Sequence, residues 1–130
     1  MTDPDKRPYR PTETVDMRTP IEFDENAKLE SIALIVQSGF ISGDPPCVRA
    51  GEKKTLGRTD EADFQTPLDA KISRAHYSIE CCQRSGIVRD LGSRNGTYVN
   101  GQRVEGDCEI QHGDQIAAGA TILTVRFVTN

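Results

Sequence analysis

The stretch VNGQRV, residues 99–104, sets an Asn-Gly pair between two short runs of strand-forming residues. Both turn residues tolerate positive φ, so the stretch predicts a tight hairpin with Asn100 and Gly101 at its tip. The same pattern of short extended runs and turn residues continues on either side. Downstream, in TILTVRFV (121–128), Leu123, Val125 and Phe127 alternate with Ile122, Thr124 and Arg126, the period of a half-buried strand. CEI and QIAAG lie between. Upstream, TYV, GIVRD, HYSIECC, KKTLG, CVRAG and the apolar run of LESIALIVQSGF (29–40) read as further strands, broken at SGDPP, RSGIV and QHGDQI. No segment after residue 28 keeps helical periodicity over ten residues. Many short strands in about 100 residues predict an all-β domain over residues 29–130, a β-sandwich, with a small barrel as the alternative the sequence leaves open.

The 130 residues suffice for one domain with a hydrophobic core and leave little room for a second. Residues 1–28 read as a disordered N-terminal arm: Pro4, Pro8, Pro11 and Pro20 stand among alternating charges, with too few apolar residues to build a core. Net charge is −4, and residues 31–130 hold eleven Lys/Arg against twelve Asp/Glu, so the body is nearly neutral. That argues against nucleic acid as a partner, as does a 5% aromatic content without tryptophan. No apolar stretch approaches the roughly 20 residues of a membrane span, and the N-terminus lacks the apolar centre of a secretory signal. A cytoplasmic protein with no membrane partner is expected. Cys81 and Cys82 are adjacent, so on a strand they face opposite ways and cannot share one metal; with no C-x-x-C present, reduced thiols and no metal or cofactor are predicted.

Three loops share a composition that points to an anion. LGRTDEADF offers Arg58 directly after Gly57, KISRAH offers Ser73 and Arg74, and DLGSRNGTYVNG offers Ser93, Arg94, Asn95 and Gly96. Guanidinium, hydroxyl and amide groups are what would gather around a phosphate and the peptide carrying it. A phosphorylated hydroxyl side chain brings close to −2 charge and three acceptor oxygens, and a planar guanidinium meets two of them at once. The rival reading pairs Ser73 with His76 as nucleophile and base. In an extended run their spacing of three sends them to opposite faces, and no G-x-S-x-G elbow is present, so no catalytic residue is predicted.

In this order and spacing, LGR (56–58), SRAH (73–76), DLGSRNGTYVNG (90–101) and IQHGDQIAAG (110–119) resemble a forkhead-associated (FHA) domain over roughly residues 30–128. TDEADFQTPLDA (59–70) matches less closely. The resemblance implies a sandwich of about eleven strands that binds phosphothreonine peptides through loops at one end, in an adaptor or signalling module working with a Ser/Thr protein kinase. It implies that Arg58 and Ser73 contact the phosphate, that Arg74 and Arg94 flank it or the peptide, and that Asn95 bonds the peptide main chain just after the phosphothreonine. His76 would brace the loops, with Gly57, Gly96 and Gly101 as requirements of tight turns and Asn100 beside Gly101 in the hairpin. The alternative is a phospho-independent structural or dimerisation module. Relatives of this kind are known in which a phosphorylated threonine of the N-terminal arm docks into the protein's own site, which makes Thr14, with Thr12, the candidate phosphorylation position. Thr14 stands 15 residues before Leu29, a flexible span of about 20–23 Å.

Overall fold

The computed structural model describes residues 27–129, so the predicted arm, with Thr12 and Thr14, lies outside the described residues but for Ala27 and Lys28. Every regular element among them is a strand: β1 (Leu29–Ser38), β2 (Cys47–Arg49), β3 (Lys53–Gly57), β4 (Phe64–Gln65), β5 (Tyr77–Cys81), β6 (Gly86–Asp90), β7 (Tyr98–Val99), β8 (Gln102–Arg103), β9 (Asp107–Ile110), β10 (Gln115–Ala118) and β11 (Thr121–Thr129). They form two separate ladders, a six-stranded sheet ordered β2-β1-β11-β10-β7-β8 and a five-stranded sheet ordered β4-β3-β5-β6-β9. The fold is a sandwich, not a barrel.

The alternation read in β11 holds. Leu123, Val125 and Phe127 point inward, Arg126 points out, and Ile122 and Thr124 are half-buried. From the facing sheet, Leu56, Tyr77, Ile79, Val88 and Ile110 complete the core with Ile32 and Leu34 of β1. Each such side chain stabilises the fold by roughly 1.5–3 kcal/mol on burial. β1 departs from the pattern at its far end, where Ile35 and Val36 are exposed and the register with β11 shifts between Val36 and Ser38. His112, in the QHGDQI break before β10, accepts the Phe127 N–H at Nδ1 over 3.0 Å.

One strand escaped the sequence. β4 pairs in parallel with the end of β3, Leu56 opposite Phe64 and Gly57 opposite Gln65. Two residues carry no period, and what holds them is long-range: Thr66 gives both its N–H (2.8 Å) and its hydroxyl (3.1 Å) to the Gly57 carbonyl.

Register then decides where the loops meet. Leu56, Tyr77 and Asp90 are cross-strand neighbours on β3, β5 and β6, so the loops leaving that row open at one end of the sandwich. At the other end the Leu29 N–H donates to Gln83 O (2.7 Å), the Gly51 N–H to Cys81 O (2.9 Å), and Leu29 pairs with Thr129. The four cysteines form no disulfide among the described residues. Cys81 closes β5 inside the core, where burial first, then the neighbouring Cys82 and Cys47 thiols and Glu52, push its thiol up to about 11.

Candidate functional site

The loops after β3, before β5 and after β6 enclose an open cleft of about 420 Å³. Its walls include Arg58, Ser73, Arg74, Arg94 and Asn95, together with Lys71 and Glu61. All five residues singled out as peptide-binding candidates thus line one concavity. Arg58 follows β3 directly and is fixed twice to the loop before β5, by its N–H to Ser73 O (2.9 Å) and by Nε–H to Ile72 O (2.9 Å). With Nε committed, the two terminal amino groups of the guanidinium are the donors left for a ligand. Ser73 Oγ accepts the Arg94 N–H (3.1 Å), so its own O–H proton is the part left to give. Asn95 donates from Nδ2 to Lys71 O (2.9 Å), which makes Oδ1 the acceptor side of its amide. Arg74 lies 3.8 Å from the Glu61 carboxylate with both side chains largely exposed, a pair of little energetic weight.

Ser73 and His76 do meet, by another route than a nucleophile and base. Residues 71–76 run through bends and β5 starts only at Tyr77, so the extended spacing assumed from sequence does not apply. The Ser73 main-chain N–H donates to His76 Nδ1 (3.0 Å). Nδ1 is therefore the acceptor nitrogen, and Nε2 carries the proton it gives to Gly96 O at 2.9 Å. The buried ring spans two loops of the cleft and has both nitrogens engaged with main chain.

The glycines divide by cause. Gly96 (φ +90°) and Gly101 (φ +87°) need left-handed backbone, as does Asn100 at φ +50°. Asn100 does more than turn the chain, because its Nδ2 donates to Asp114 Oδ1 and its Oδ1 accepts the Gln115 N–H, both at 3.0 Å. Gly57 is not a turn residue. It ends a strand, and a Cβ there would overlap the Arg74 carbonyl oxygen and sit 2.9 Å from Ala75 Cα.

Two carboxylates that the sequence reading passed over shape the surrounding loops. Asp69 accepts Thr121 Oγ1–H (2.7 Å), Ala120 N–H (2.8 Å) and Lys71 N–H (3.1 Å), tying the cleft's 66–72 segment to the turn between β10 and β11. Asp90 takes the N–H groups of Gly92 (3.0 Å) and Ser93 (2.9 Å) on Oδ2 and the hydroxyls of Ser93 (2.6 Å) and Thr97 (2.7 Å) on Oδ1. Its signal was present: an Asp followed at two and three residues by Gly and Ser is an Asx-turn pattern. Burial pushes both carboxyls up, but the hydrogen bonds outweigh it and both titrate below the ordinary value of 3.8. A folded value below the unfolded one gives stability that is complete above 3.8 and is lost as pH falls through the folded values. Thermal unfolding from pH 7 to pH 2 is expected to show a level Tm down to about pH 5 and a falling one below about pH 4. Asp69→Asn should flatten part of that fall.

No helix among the described residues is long and apolar enough to cross a membrane, and no group of three or more His, Cys, Asp or Glu among them could hold a metal ion. The FHA domain profile matches residues 54–119. An FHA domain-containing protein of Arabidopsis thaliana is 31% identical over 101 residues, 75% of this chain and 26% of its own length. The FHA domain-containing protein FhaA of Mycobacterium tuberculosis is 33% identical over 97 residues, 75% of this chain and 18% of its own length. The chain therefore spans about a quarter or less of these relatives. An FHA domain solved for its phosphothreonine-dependent interactions superposes with a TM-score of 0.64 at 33% identity, over 74% of this chain and 95% of that one. FHA domains are phosphothreonine-binding modules and not catalysts. With the profile covering half the sequence and the same sandwich beneath it, this chain belongs to the FHA domain family.

Proposed function

We propose that this chain reads phosphothreonine peptides, as an adaptor working beside a Ser/Thr protein kinase in the cytoplasm. The observation that carries the reading is the donor set of the cleft: an arginine anchored by Nε with its amino groups to spare, and a serine whose hydroxyl proton is its remaining bond. Arg58 and Ser73 hold the phosphate, Arg74 and Arg94 flank it, and Asn95 Oδ1 receives a main-chain N–H of the peptide beyond the phosphothreonine. Gly57, His76, Gly96, Asn100 and Gly101 keep the loops in place. Two or three charge-assisted bonds at roughly 1.5–3 kcal/mol each supply about 3–9 kcal/mol, so the ~8 kcal/mol of micromolar binding is reached with modest help from the peptide contacts. Four cysteines without a disulfide among the described residues fit a reducing compartment.

Titration of the unphosphorylated chain with a phosphothreonine peptide pool and its plain twin tests this. Micromolar heat from the phosphorylated pool alone is the expected result. Equal response to both, or none to either, would favour a phospho-independent structural or dimerisation module.

A phosphorylated Thr14, with Thr12 second, is the proposed internal ligand. The chain enters β1 at the end opposite the cleft, and the ten residues of β1 cover about 33 Å. The 15 residues from Thr14 to Leu29 reach about 50 Å fully extended and about 20–23 Å on average. Self-docking thus stretches the linker past its mean span, yet leaves the effective concentration near millimolar, above a micromolar dissociation constant. Phosphorylating Thr14 should weaken binding of an outside phosphopeptide at least tenfold. Equal affinity before and after would end the self-docking reading and leave the peptide-reading one intact.

A further inference from the structure

Arg94 and Asn95 are exposed on a loop without regular structure, yet that loop must hold them to a fraction of an ångström if the peptide main chain is to be read. Its shape comes from one carboxylate. Asp90 accepts four donors, the full capacity of an ionised carboxylate, and a protonated acid or an amide could not accept them all. The Ser93 hydroxyl passes the order on: having given its proton to Asp90, it accepts the Gly96 N–H at 2.9 Å. Arg94 and Asn95 therefore lie inside a ring closed at both ends by hydrogen bonds that lead back to Asp90. Arg58 is held differently, by the Ile72 and Ser73 carbonyls on another loop.

We propose that Asp90 is a positioning residue of the recognition site, setting the loop from Leu91 to Thr97 so that Asn95 can read the peptide main chain, while phosphate capture by Arg58 proceeds without it. This rests on the reading of the cleft as a phosphothreonine site. It divides affinity into two parts that one substitution should separate, because Arg58 is anchored on another loop, whereas Asn95 lies wholly within this one and the phosphate side meets it only through Arg94 and the Arg94 N–H bond to Ser73 Oγ.

The test uses the full chain and its Asp90→Asn variant, with two probes: a phosphothreonine peptide that the wild type binds, and inorganic phosphate followed by amide chemical shifts. Asparagine keeps the size of the side chain but turns an NH2 toward groups that are themselves donors. Peptide affinity is expected to fall at least tenfold while phosphate affinity changes by less than threefold. Ser93→Ala keeps the carboxylate and removes one relay, and should show the same split at about threefold for the peptide; it carries the comparison if Asp90→Asn does not fold. Equal weakening toward both probes would reduce Asp90 to a structural residue and overturn the proposal, as would unchanged peptide binding. A wild type that binds phosphate but no phosphopeptide would sink the underlying reading instead, and this proposal with it.

Discussion

Arg58→Ala is expected to abolish measurable phosphopeptide binding while leaving the domain folded. The side chain is half-exposed at the mouth of the cleft, and among the described residues it is held by the Nε–H bond to Ile72 O. Losing that bond, charge-assisted but half-exposed, costs about 1.5 kcal/mol of stability. Losing its ligand bonds is a larger matter, because two charge-assisted bonds to a dianion are worth about 3–6 kcal/mol, or roughly 10² to 10⁴ in affinity. Lysine is no substitute. It has no planar fork, and its three donors diverge from a single nitrogen, so a bond to Ile72 O and a paired grip on two phosphate oxygens do not fit one position. Calorimetry with one phosphothreonine peptide, beside a thermal melt of each variant, decides the point. A dissociation constant within threefold of wild type for Arg58→Ala would move the phosphate to another part of the cleft, toward Arg74 and Arg94.

Gly57→Ala should be the most damaging single-atom-group addition among the residues discussed, and its damage should reach both stability and binding. The new methyl would occupy the space of the Arg74 carbonyl oxygen, with the Arg74 carbonyl carbon at 2.7 Å, and backbone cannot rotate away as a side chain can. Overpacking of this kind typically costs 1–3 kcal/mol, and a clash with main chain stands at or beyond about 3 kcal/mol. Relief requires the 74–75 segment to move off β3, and the adjoining Arg58 N–H to Ser73 O bond lies directly in that path. Chemical denaturation should show the midpoint shifted with an unchanged slope, and the remaining folded protein should bind phosphopeptide at least tenfold more weakly. A variant as stable as wild type would mean that the segment before β5 is far more pliant than its bonds to Arg58, His76 and Arg94 indicate.

What could be read from the residues alone depended on how local the cause was. The Asn100-Gly101 hairpin was legible because its backbone demand is satisfied by those two residue types and few others. β11 was legible because burial on one face imposes a period of two. β4 was not, since its two residues owe their extension to Leu56, Gly57 and Thr66. Gly57 itself was assigned to a turn when the true cause, a close approach from residue 74, lies 17 positions away. The donor composition of the cleft could be read from three loops of similar make-up, but that they converge follows from strand register. The order of the motifs supplied that, through the family resemblance. The geometry around Ser73 and His76 was out of reach, because it rests on bends where an extended chain had been assumed.

Leu29 and Thr129 are direct partners at the ends of neighbouring antiparallel strands, so their Cα atoms stand about 5 Å apart, at the pole opposite the cleft. A unit whose two ends meet in this way can be spliced into a surface loop of a host protein without prising that loop open. Mounted so, the sandwich would stand on its host like a plug on two prongs, with the cleft turned outward. The same geometry favours immobilisation beside Thr129 on a sensor chip, where the support and the cleft would occupy opposite poles.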